Sequence, residues 1–311
     1  MHAICRKRFW HFLYGNRQWF AVSGLINVYS GKQIMPSHVI TLANGITIPT
    51  LGQGTWFMGE SSSSRKDEIA ALQKGIDLGM TLIDTAEMYA SGGAEKVTGE
   101  AIAGRRDKVF LVSKVLPGNA SRKGTIAAFE RSLKRLGTDY IDLYLLHWRG
   151  GYPLDETFDA MERLLDAGKI RAYGVSNFDL DDMQEASQYD RGHICVNQVL
   201  YNLASRGIEW DLLGWLRKRN VAVMAYSPLY QTRLLKSPGL KRMAEELSIT
   251  PAQLALAWLL HQGTIPIPKS SSVKRVEENR KAWDIVLEPE ILGKLDGIFP
   301  PPDHKMPLDV L

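Results

Sequence analysis

Cysteine is nearly absent from the chain, whose 311 residues include two, Cys5 and Cys195. Two cysteines so far apart in sequence indicate neither a disulfide framework nor a thiolate metal site, so a reducing compartment is the expected environment. Long apolar runs are also missing, and no segment reaches the length needed to span a bilayer. With 45% hydrophobic and 23% charged residues, the composition is typical of a globular protein with a sizeable core.

Acidic residues are absent from residues 1–34, which hold five basic residues, and the first acid is Glu60. Subtracting those five from the 38 Lys and Arg leaves 33 against 34 Asp and Glu, so the net charge of +4 becomes about −1 for the rest. The body of the chain therefore gives no electrostatic argument for binding nucleic acid or a membrane surface.

The first 34 residues also lack the uninterrupted apolar core of an export signal, because His11 and the polar residues 16–18 interrupt it. We expect residues 1–34 to be a poorly ordered leader outside the fold, translated upstream of a shorter form that starts at Met35. A weakly membrane-adhesive arm is the alternative. Residues 35–311 are expected to form a single domain.

Short apolar runs alternate with amphipathic segments from residue 38 onward, which gives eight strand-helix alternations. Strands such as Tyr140–Leu146 and Val221–Ala225 are apolar nearly throughout, as parallel strands covered on both faces are. Eight such units predict an α/β fold of the (β/α)8 TIM barrel type rather than an open doubly wound sheet. Asn44-Gly45 predicts an N-terminal β-hairpin at the barrel base, and two extra helical segments are expected at the C-terminal end.

The dinucleotide-binding fingerprint of open α/β sheets is also missing. Gly52-Gln53-Gly54 begins like a glycine-rich phosphate loop, but Phe57 stands where the third glycine would be. This segment is better explained as a tight turn at the barrel mouth. A dinucleotide, if bound, must be held in another way.

Polar side chains lie at seven successive strand ends, where the βα loops of a barrel converge and active sites are built. Taken alone, each has an ordinary structural explanation: Asp84 as a turn cap, Lys114 as a solvated strand end, His147 as a satisfied core histidine. The set as a whole indicates a site. Its members are Asp84 with Tyr89, Ser113-Lys114, His147-Trp148, Ser176-Asn177-Phe178, Asn197-Gln198, Tyr226-Ser227-Pro228 and Lys269-Ser270-Ser271.

These residues resemble the conserved blocks of the aldo-keto reductases. Asp84, Tyr89, Lys114 and His147 match that family's catalytic tetrad, in order and spacing. The blocks DTAEMY, VSK, LLHW, GVSNF, NQVLYN, AYSPL and IPKSS are similar too, and the resemblance runs from about residue 38 to 299. It is closest to bacterial members that reduce small aldehydes such as methylglyoxal. The resemblance implies a reductase that transfers hydride from a nicotinamide and needs no metal.

Elementary chemistry agrees with the roles that the resemblance implies. A tyrosine hydroxyl can protonate the alkoxide formed by hydride transfer, but its reference pKa of about 10 makes it a weak acid. We expect Lys114 to lower the pKa of Tyr89, and Asp84 to keep Lys114 charged and oriented. His147 is expected to donate a hydrogen bond to the substrate carbonyl. Proton donation of this kind is typically worth about 10²–10⁴ in rate.

The resemblance also implies where NADPH binds. Ser176, Asn177 and Gln198 match residues that bind the nicotinamide carboxamide, and Tyr226 matches the residue that stacks on the ring. Lys269, Ser270 and Arg275 match the family's clamp on the adenosine 2′-phosphate, and Glu278 and Asn279 match residues near the adenine. Because two of the clamp side chains are cations, they argue for NADPH over NADH, although Arg275 could also be a solvated helix charge. The remaining expected cofactor contacts are Ser227 and Leu229. The expected apolar pocket walls, each of which could equally be core, are Trp56, Phe57, Met88 and Trp148.

Two segments depart from the family pattern. The loop LYQTRLLKSPG is short where some relatives cover the pyrophosphate, which leaves tight cofactor sequestration open. The tail FPPPDHKMPLDVL is brief and Pro-rich, and we expect it to contribute little to closing the pocket.

Two other functions compete with the enzyme. A non-catalytic NADPH-binding regulatory subunit on the same barrel, like potassium-channel β subunits, is disfavoured by the complete tetrad. A metal-dependent hydrolase would need clustered His and carboxylate ligands at the strand ends, where only His147 qualifies. We expect a cytoplasmic monomer that acts on a small carbonyl substrate, with no nucleic-acid or membrane partner.

Overall fold

The computed structural model describes residues 38–311, so the expected leader, the start at Met35 and Cys5 lie outside the described residues. The strands are β1 (Val39–Thr41), β2 (Thr47–Pro49), β3 (Gly52–Gly54), β4 (Leu82–Asp84), β5 (Phe110–Val115), β6 (Ile141–Leu146), β7 (Ile170–Ser176), β8 (Ile194–Leu200), β9 (Ala222–Tyr226) and β10 (Ile265–Pro266). The α-helices are α1 (Arg65–Asp77), α2 (Gly93–Ile102), α3 (Arg122–Leu136), α4 (Leu154–Asp166), α5 (Leu180–Ala186), α6 (Leu212–Lys218), α7 (Pro238–Glu246), α8 (Pro251–His261), α9 (Val273–Arg280) and α10 (Pro289–Ile298).

Strands β3 to β10 form one parallel sheet in which each strand pairs with the next along the chain. A bridge between Gly54 and Lys269 joins the first strand to the segment after the last and closes the barrel. Closure depends on glycine here, because a Cβ on Gly54 would lie 2.7 Å from the carbonyl oxygen of Ile267. The (β/α)8 barrel is thereby confirmed, and all eight strands deliver their C-terminal ends to one rim.

The N-terminal hairpin covers the opposite end of the barrel. Strands β1 and β2 pair antiparallel around a turn in which Gly45 has φ +85°, a conformation that favours glycine. Leu42 and Ile48 of the hairpin belong to the same buried cluster as Leu82 and Phe110, which lie near the starts of their strands. The predicted hairpin at the barrel base is confirmed, and its apolar side chains keep water out of the bottom of the barrel.

The outer helices form where the sequence pattern predicts them. In α3, the Ser121 side chain accepts a hydrogen bond from the Gly124 amide at the N-terminus, and Gly137 ends the helix at φ +65°. The face that includes Phe129 and Leu133 is buried against the barrel. Burying one such side chain contributes roughly 1.5–3 kcal/mol. After the last strand, α9 completes the eighth unit, and the extra helical segments beyond it are the 3₁₀ turn Lys281–Asp284 and α10.

Two boundaries differ from the sequence-based expectation. The sequence pattern of residues 207–219 predicts one helix, but Gly207–Glu209 forms a separate 3₁₀ turn and α6 begins only at Leu212. Ser113 and Lys114 lie inside β5 rather than after it, since that strand continues to Val115. No helix of residues 38–311 is long and apolar enough to cross a membrane.

Candidate active site

Lys114 is the centre of a hydrogen-bonded group at the C-terminal rim. Its Nζ lies 2.8 Å from Oδ2 of Asp84, 2.8 Å from the carbonyl oxygen of Thr85 and 3.1 Å from the hydroxyl of Tyr89. The side chain is fully buried, and these three acceptors account for all three ammonium hydrogens. Neighbouring strands β4 and β5 bring Asp84 and Lys114 together, and the loop after β4 returns Tyr89 to the same point.

Burial dominates the electrostatics of this group. It lowers the pKa of Lys114, while the charge and the hydrogen bond of Asp84 act in the opposite direction. Burial also raises the pKa of Tyr89 well above its usual value, and the Asp84 carboxylate raises it further. The expected lowering of the Tyr89 pKa by Lys114 is therefore wrong for this structure, because the Lys114 charge is paired with Asp84 and burial outweighs it. Tyr89 is protonated, as a proton donor must be.

His147 follows β6 directly, and its backbone amide bonds to Val115 of the neighbouring strand at 3.0 Å. Its ring meets the Tyr89 ring edge-on, with 5.7 Å between the centroids. Burial, aided by the Lys114 charge, lowers the pKa of His147 from 6.5 to about 2, so the imidazole is neutral. Its Nδ1 is buried without a hydrogen-bond partner among the described residues, which leaves no acceptor for a proton there. A proton on Nε2 avoids burying an N–H donor without an acceptor, which favours that tautomer.

The residues expected at the nicotinamide lie beside this group. The backbone amide of Asn177 bonds to the carbonyl of Gln198 at 2.9 Å, and the Asn177 side-chain amide donates to the His147 carbonyl at 3.1 Å. Tyr226 donates to Oδ1 of Asn177 at 2.8 Å, and Ser176 Oγ lies 3.3 Å from the Asn177 amide. A side-chain amide and the flat face of a partly buried tyrosine thus stand next to the tetrad, which fits a nicotinamide carboxamide and ring.

The residues expected at the 2′-phosphate lie just before and within the first turn of α9. Ser270 Oγ accepts from the backbone amide of Ser272, the residue that caps the helix, at 3.1 Å. Lys269 and Arg275 are exposed, and neither forms a salt bridge with any carboxylate of residues 38–311. Two unpaired cations beside a helix N-terminus fit a phosphate group.

The other residues expected to contact the cofactor are less accessible, because they are hydrogen-bonded, buried or packed against the core. Glu278 accepts a hydrogen bond of 2.6 Å from Thr250, and Asn279 is buried. Ser227 has φ +46° at the start of the loop after β9, and Leu229 in that loop packs against the main core. Glu278 would have to leave Thr250, or share it, to reach an adenine.

The four expected pocket walls follow β3, β4 and β6 at the rim. Trp56 and Phe57 stack with their ring centroids 4.3 Å apart, and the Trp148 ring lies 4.9 Å from the His147 ring. Phe57, Met88 and Trp148 are 50%, 39% and 38% exposed, which is unusual for large apolar side chains. Their alternative interpretation as core residues is therefore wrong for these three, whereas Trp56 is partly buried.

The C-terminal tail approaches the site, contrary to the expectation that it contributes little. Arg206 donates to the carbonyl of Phe299, Lys305 lies 3.5 Å from the Asp211 carboxylate, and Leu308 packs against the main core. Burial raises the pKa of Tyr226, and the Leu311 backbone and the Asp309 charge also act on it, so the end of the tail lies close to this hydroxyl. The proline content gave no hint of this course, because long-range contacts to residues 206–211 determine it.

Sequence reasoning missed two contributors behind the tetrad. Glu95 of α2 is fully buried. It accepts a hydrogen bond of 2.7 Å from Ser113 Oγ and forms an ion pair with Arg135. The Thr85 carbonyl oxygen accepts one hydrogen bond from Lys114. Acidic residues are common in the first turn of helices, so the sequence did not distinguish Glu95 from others. A backbone carbonyl leaves no signal in the sequence at all. No group of three or more His, Cys, Asp and Glu in residues 38–311 could hold a metal ion.

Comparison with known proteins gives one consistent result. The sequence profile of the Aldo/keto reductase family matches residues 50–299. The methylglyoxal reductase YeaE of Escherichia coli is 51% identical over 284 residues, covering 89% of this chain and 100% of that protein. The glyoxal reductase of Bacillus subtilis is 33% identical over 83% of this chain and 92% of its own length. A crystal structure of an aldo/keto reductase from Klebsiella pneumoniae with NADP and acetate has a TM-score of 0.86 and 50% identity, covering 88% and 99% of the two chains.

Proposed function

The chain belongs to the aldo/keto reductase family, and we propose that it reduces small aldehydes of the methylglyoxal class to alcohols with NADPH. The observation that carries the mechanism is the contact of Lys114 Nζ with both Asp84 and Tyr89. Reduced nicotinamide supplies the hydride in this chemistry. Relatives that reduce methylglyoxal and glyoxal support the substrate class, whereas none of these comparisons supports the regulatory subunit considered above.

The roles of the four tetrad residues follow from their geometry. Tyr89 accepts a hydrogen bond from Lys114, which leaves its own proton free to be donated to the developing alkoxide. Lys114 compensates the negative charge that forms on the phenol oxygen, and Asp84 keeps the ammonium in place. Neutral His147 donates from Nε2 to the carbonyl oxygen and orients it. Proton donor and orienting donor lie side by side, because their rings touch.

The cofactor would be held by two separate groups of residues. Asn177, Ser176 and Gln198 would bind the carboxamide, and Tyr226 would support the ring. Lys269, Ser270 and Arg275 would bind the 2′-phosphate, with Glu278 and Asn279 at the adenine and Ser227 and Leu229 along the loop between. The apolar walls Trp56, Phe57, Met88 and Trp148 would exclude water from the reacting carbonyl.

NADPH oxidation with methylglyoxal and with a bulkier aldehyde tests the proposal, comparing the wild type with Tyr89→Phe. The substitution keeps the ring but removes the proton donor, so kcat should fall by about 10²–10⁴. Tyr152→Phe is the matched control, because that side chain is 41% exposed. Unchanged turnover in Tyr89→Phe would remove Tyr89 as the donor, and a wild type without turnover on either aldehyde would overturn the function.

We further propose a cytoplasmic monomer whose residues 35–311 form the functional domain. The scarcity of cysteine supports the reducing compartment, and the family profile, which matches residues 50–299, supports the bounds of the domain. Light scattering of the purified protein tests the monomer, and N-terminal sequencing of natively expressed protein tests the leader. A native N-terminus at Met35 would place residues 1–34 outside the functional protein.

A further inference from the structure

Glu87 is a buried carboxylate that lies between two residues of the tetrad in sequence but touches neither. Only 8% exposed, it accepts hydrogen bonds at Oε1 from the backbone amide of Leu116 at 2.8 Å and from the Asn119 side chain at 2.9 Å. Its Oε2 lies 3.7 Å from Arg131. Both donors belong to the segment that follows β5, the strand that carries Lys114. Glu87 thus joins the loop of Tyr89 to the strand of Lys114.

Backbone hydrogen bonds attach the loop that carries Tyr89 to β5 only as far as Glu87. The Thr85 amide bonds to the Val112 carbonyl at 3.0 Å, and the Glu87 amide bonds to the Lys114 carbonyl at 3.4 Å. After Glu87 no backbone hydrogen bond of the loop reaches β5 in the described structure. Directly after Tyr89, Ala90 and Ser91 have φ values of +49° and +52°, a region that favours glycine. This turn therefore costs free energy unless surrounding contacts hold it.

The Glu87 carboxylate provides those contacts where the backbone pairing ends. Glu87 accepts two hydrogen bonds, one from the Leu116 backbone amide and one from the Asn119 side-chain amide, so its removal breaks both at once. Its loss would leave the Leu116 amide and the Asn119 side chain without these bonds and would free the loop two residues before Tyr89. The distance that would change is the 3.1 Å between Tyr89 and Lys114.

We propose that Glu87 is a positioning residue that keeps the Tyr89 hydroxyl within hydrogen-bond reach of Lys114. The inference rests on the proposed reductase function, and it assigns Glu87 no contact with substrate or cofactor. A misplacement of about 1 Å can cost about 10²-fold in rate, so the effect falls on the chemical step. NADPH binding is expected to remain unchanged, because the cofactor residues lie on other loops.

The test compares Glu87→Ala, Glu87→Gln and Asn119→Ala with the wild type in NADPH-dependent methylglyoxal reduction. Glu87→Ala should lower kcat by about 10–100-fold, leave the Kd of NADPH within about 2-fold and increase the solvent isotope effect on kcat. Glu87→Gln retains the acceptor Oε1 and should recover most of kcat. Asn119→Ala should lower kcat less, and the double variant with Glu87→Ala should be no slower than Glu87→Ala.

Glu162→Ala is the matched control for stability. Glu162 is 7% exposed and also accepts two hydrogen bonds at Oε1, from Tyr173 at 2.6 Å and His193 at 2.8 Å, away from the tetrad. The Tm of Glu162→Ala should fall, while its kcat, measured below the unfolding transition, should stay at the wild-type value. Wild-type kcat in Glu87→Ala, or an equal loss of kcat in Glu162→Ala, would overturn the proposal. A wild type that lacks turnover would instead refute the reductase function itself.

Discussion

The side-chain amide of Gln198 donates a hydrogen bond of 2.7 Å to Oδ1 of Asp84. The other carboxylate oxygen of Asp84 accepts from Lys114, so each oxygen has its own donor in a fully buried setting. Because Gln198 is also proposed to bind the nicotinamide carboxamide, this hydrogen bond would connect the two halves of the site, the proposed cofactor contacts and the Asp84–Lys114 charge pair.

Replacing Gln198 with Leu should weaken both halves. One oxygen of a buried carboxylate would lose its donor, which costs about 1–3 kcal/mol of unfolding free energy, and the carboxamide would lose a partner. Urea unfolding and NADPH titration measure the two effects. A variant with wild-type stability and wild-type NADPH affinity would show that this hydrogen bond contributes little.

Removing either member of the Asp84–Lys114 pair should destabilise the protein more than removing both. Lys114→Met leaves Asp84 buried without its cation, a change that costs about 3–5 kcal/mol in comparable pairs. The double variant Asp84→Asn, Lys114→Met should recover much of that stability but no activity. Urea unfolding and turnover of the three proteins check this. A double variant less stable than Lys114→Met alone would contradict it.

Neutral His147 should make the protein sensitive to acid. The pKa of His147 is lowered to about 2 in the folded chain, whereas the unfolded chain binds the proton near pH 6.5. The unfolded state therefore binds more protons as pH falls below about 6.5, and stability is lost in that direction, by about 1.4 kcal/mol per pH unit for a single group. His147→Gln should remove this contribution.

The free energy of unfolding in urea is measured for the wild type and for His147→Gln from about pH 7.5 to about pH 5.5. The difference between the two proteins at each pH gives the contribution of His147. The wild type should lose more stability than the variant as pH falls. Parallel curves for the two proteins would mean that His147 gains its proton in the folded state. Over the same range, kcat should show no acidic limb attributable to His147, since it stays neutral.

The two unpaired cations near α9 should set the cofactor preference. Arg275→Ala should raise the Kd of NADPH by about 10-fold or more and leave NADH binding nearly unchanged, because the lost contact is to the 2′-phosphate alone. Lys269→Ala should likewise raise the Kd of NADPH and leave NADH binding nearly unchanged. Lys274→Ala is the matched control, an exposed cation on the same helical turn. If Arg275→Ala kept the full preference for NADPH, Arg275 would be a solvated charge on the helix surface and no part of the phosphate site.

Sequence periodicity predicted most of the fold correctly, because each element carries a local signal. The apolar strands β6 and β9 lie within one residue of the expected bounds, and the helix α3 begins and ends at its caps, Ser121 and Gly137. The site residues could be located because parallel barrel strands all end at one rim. Position at a strand end is a local property, so it could be predicted without the tertiary structure.

The tertiary structure determined what depends on contacts between distant segments. Burial, and not the adjacent ammonium, sets the direction of the Tyr89 pKa. The tail reaches Tyr226 because Arg206 and Asp211 bind it on the way. Glu87 stands in the block DTAEMY, but no local signal indicates its hydrogen-bond partners, which lie about thirty residues away. The sequence by itself thus determined the barrel and the residues on its rim. Only packing decided their charges, their partners and the covering of the site, since these depend on which segments exclude water from one another.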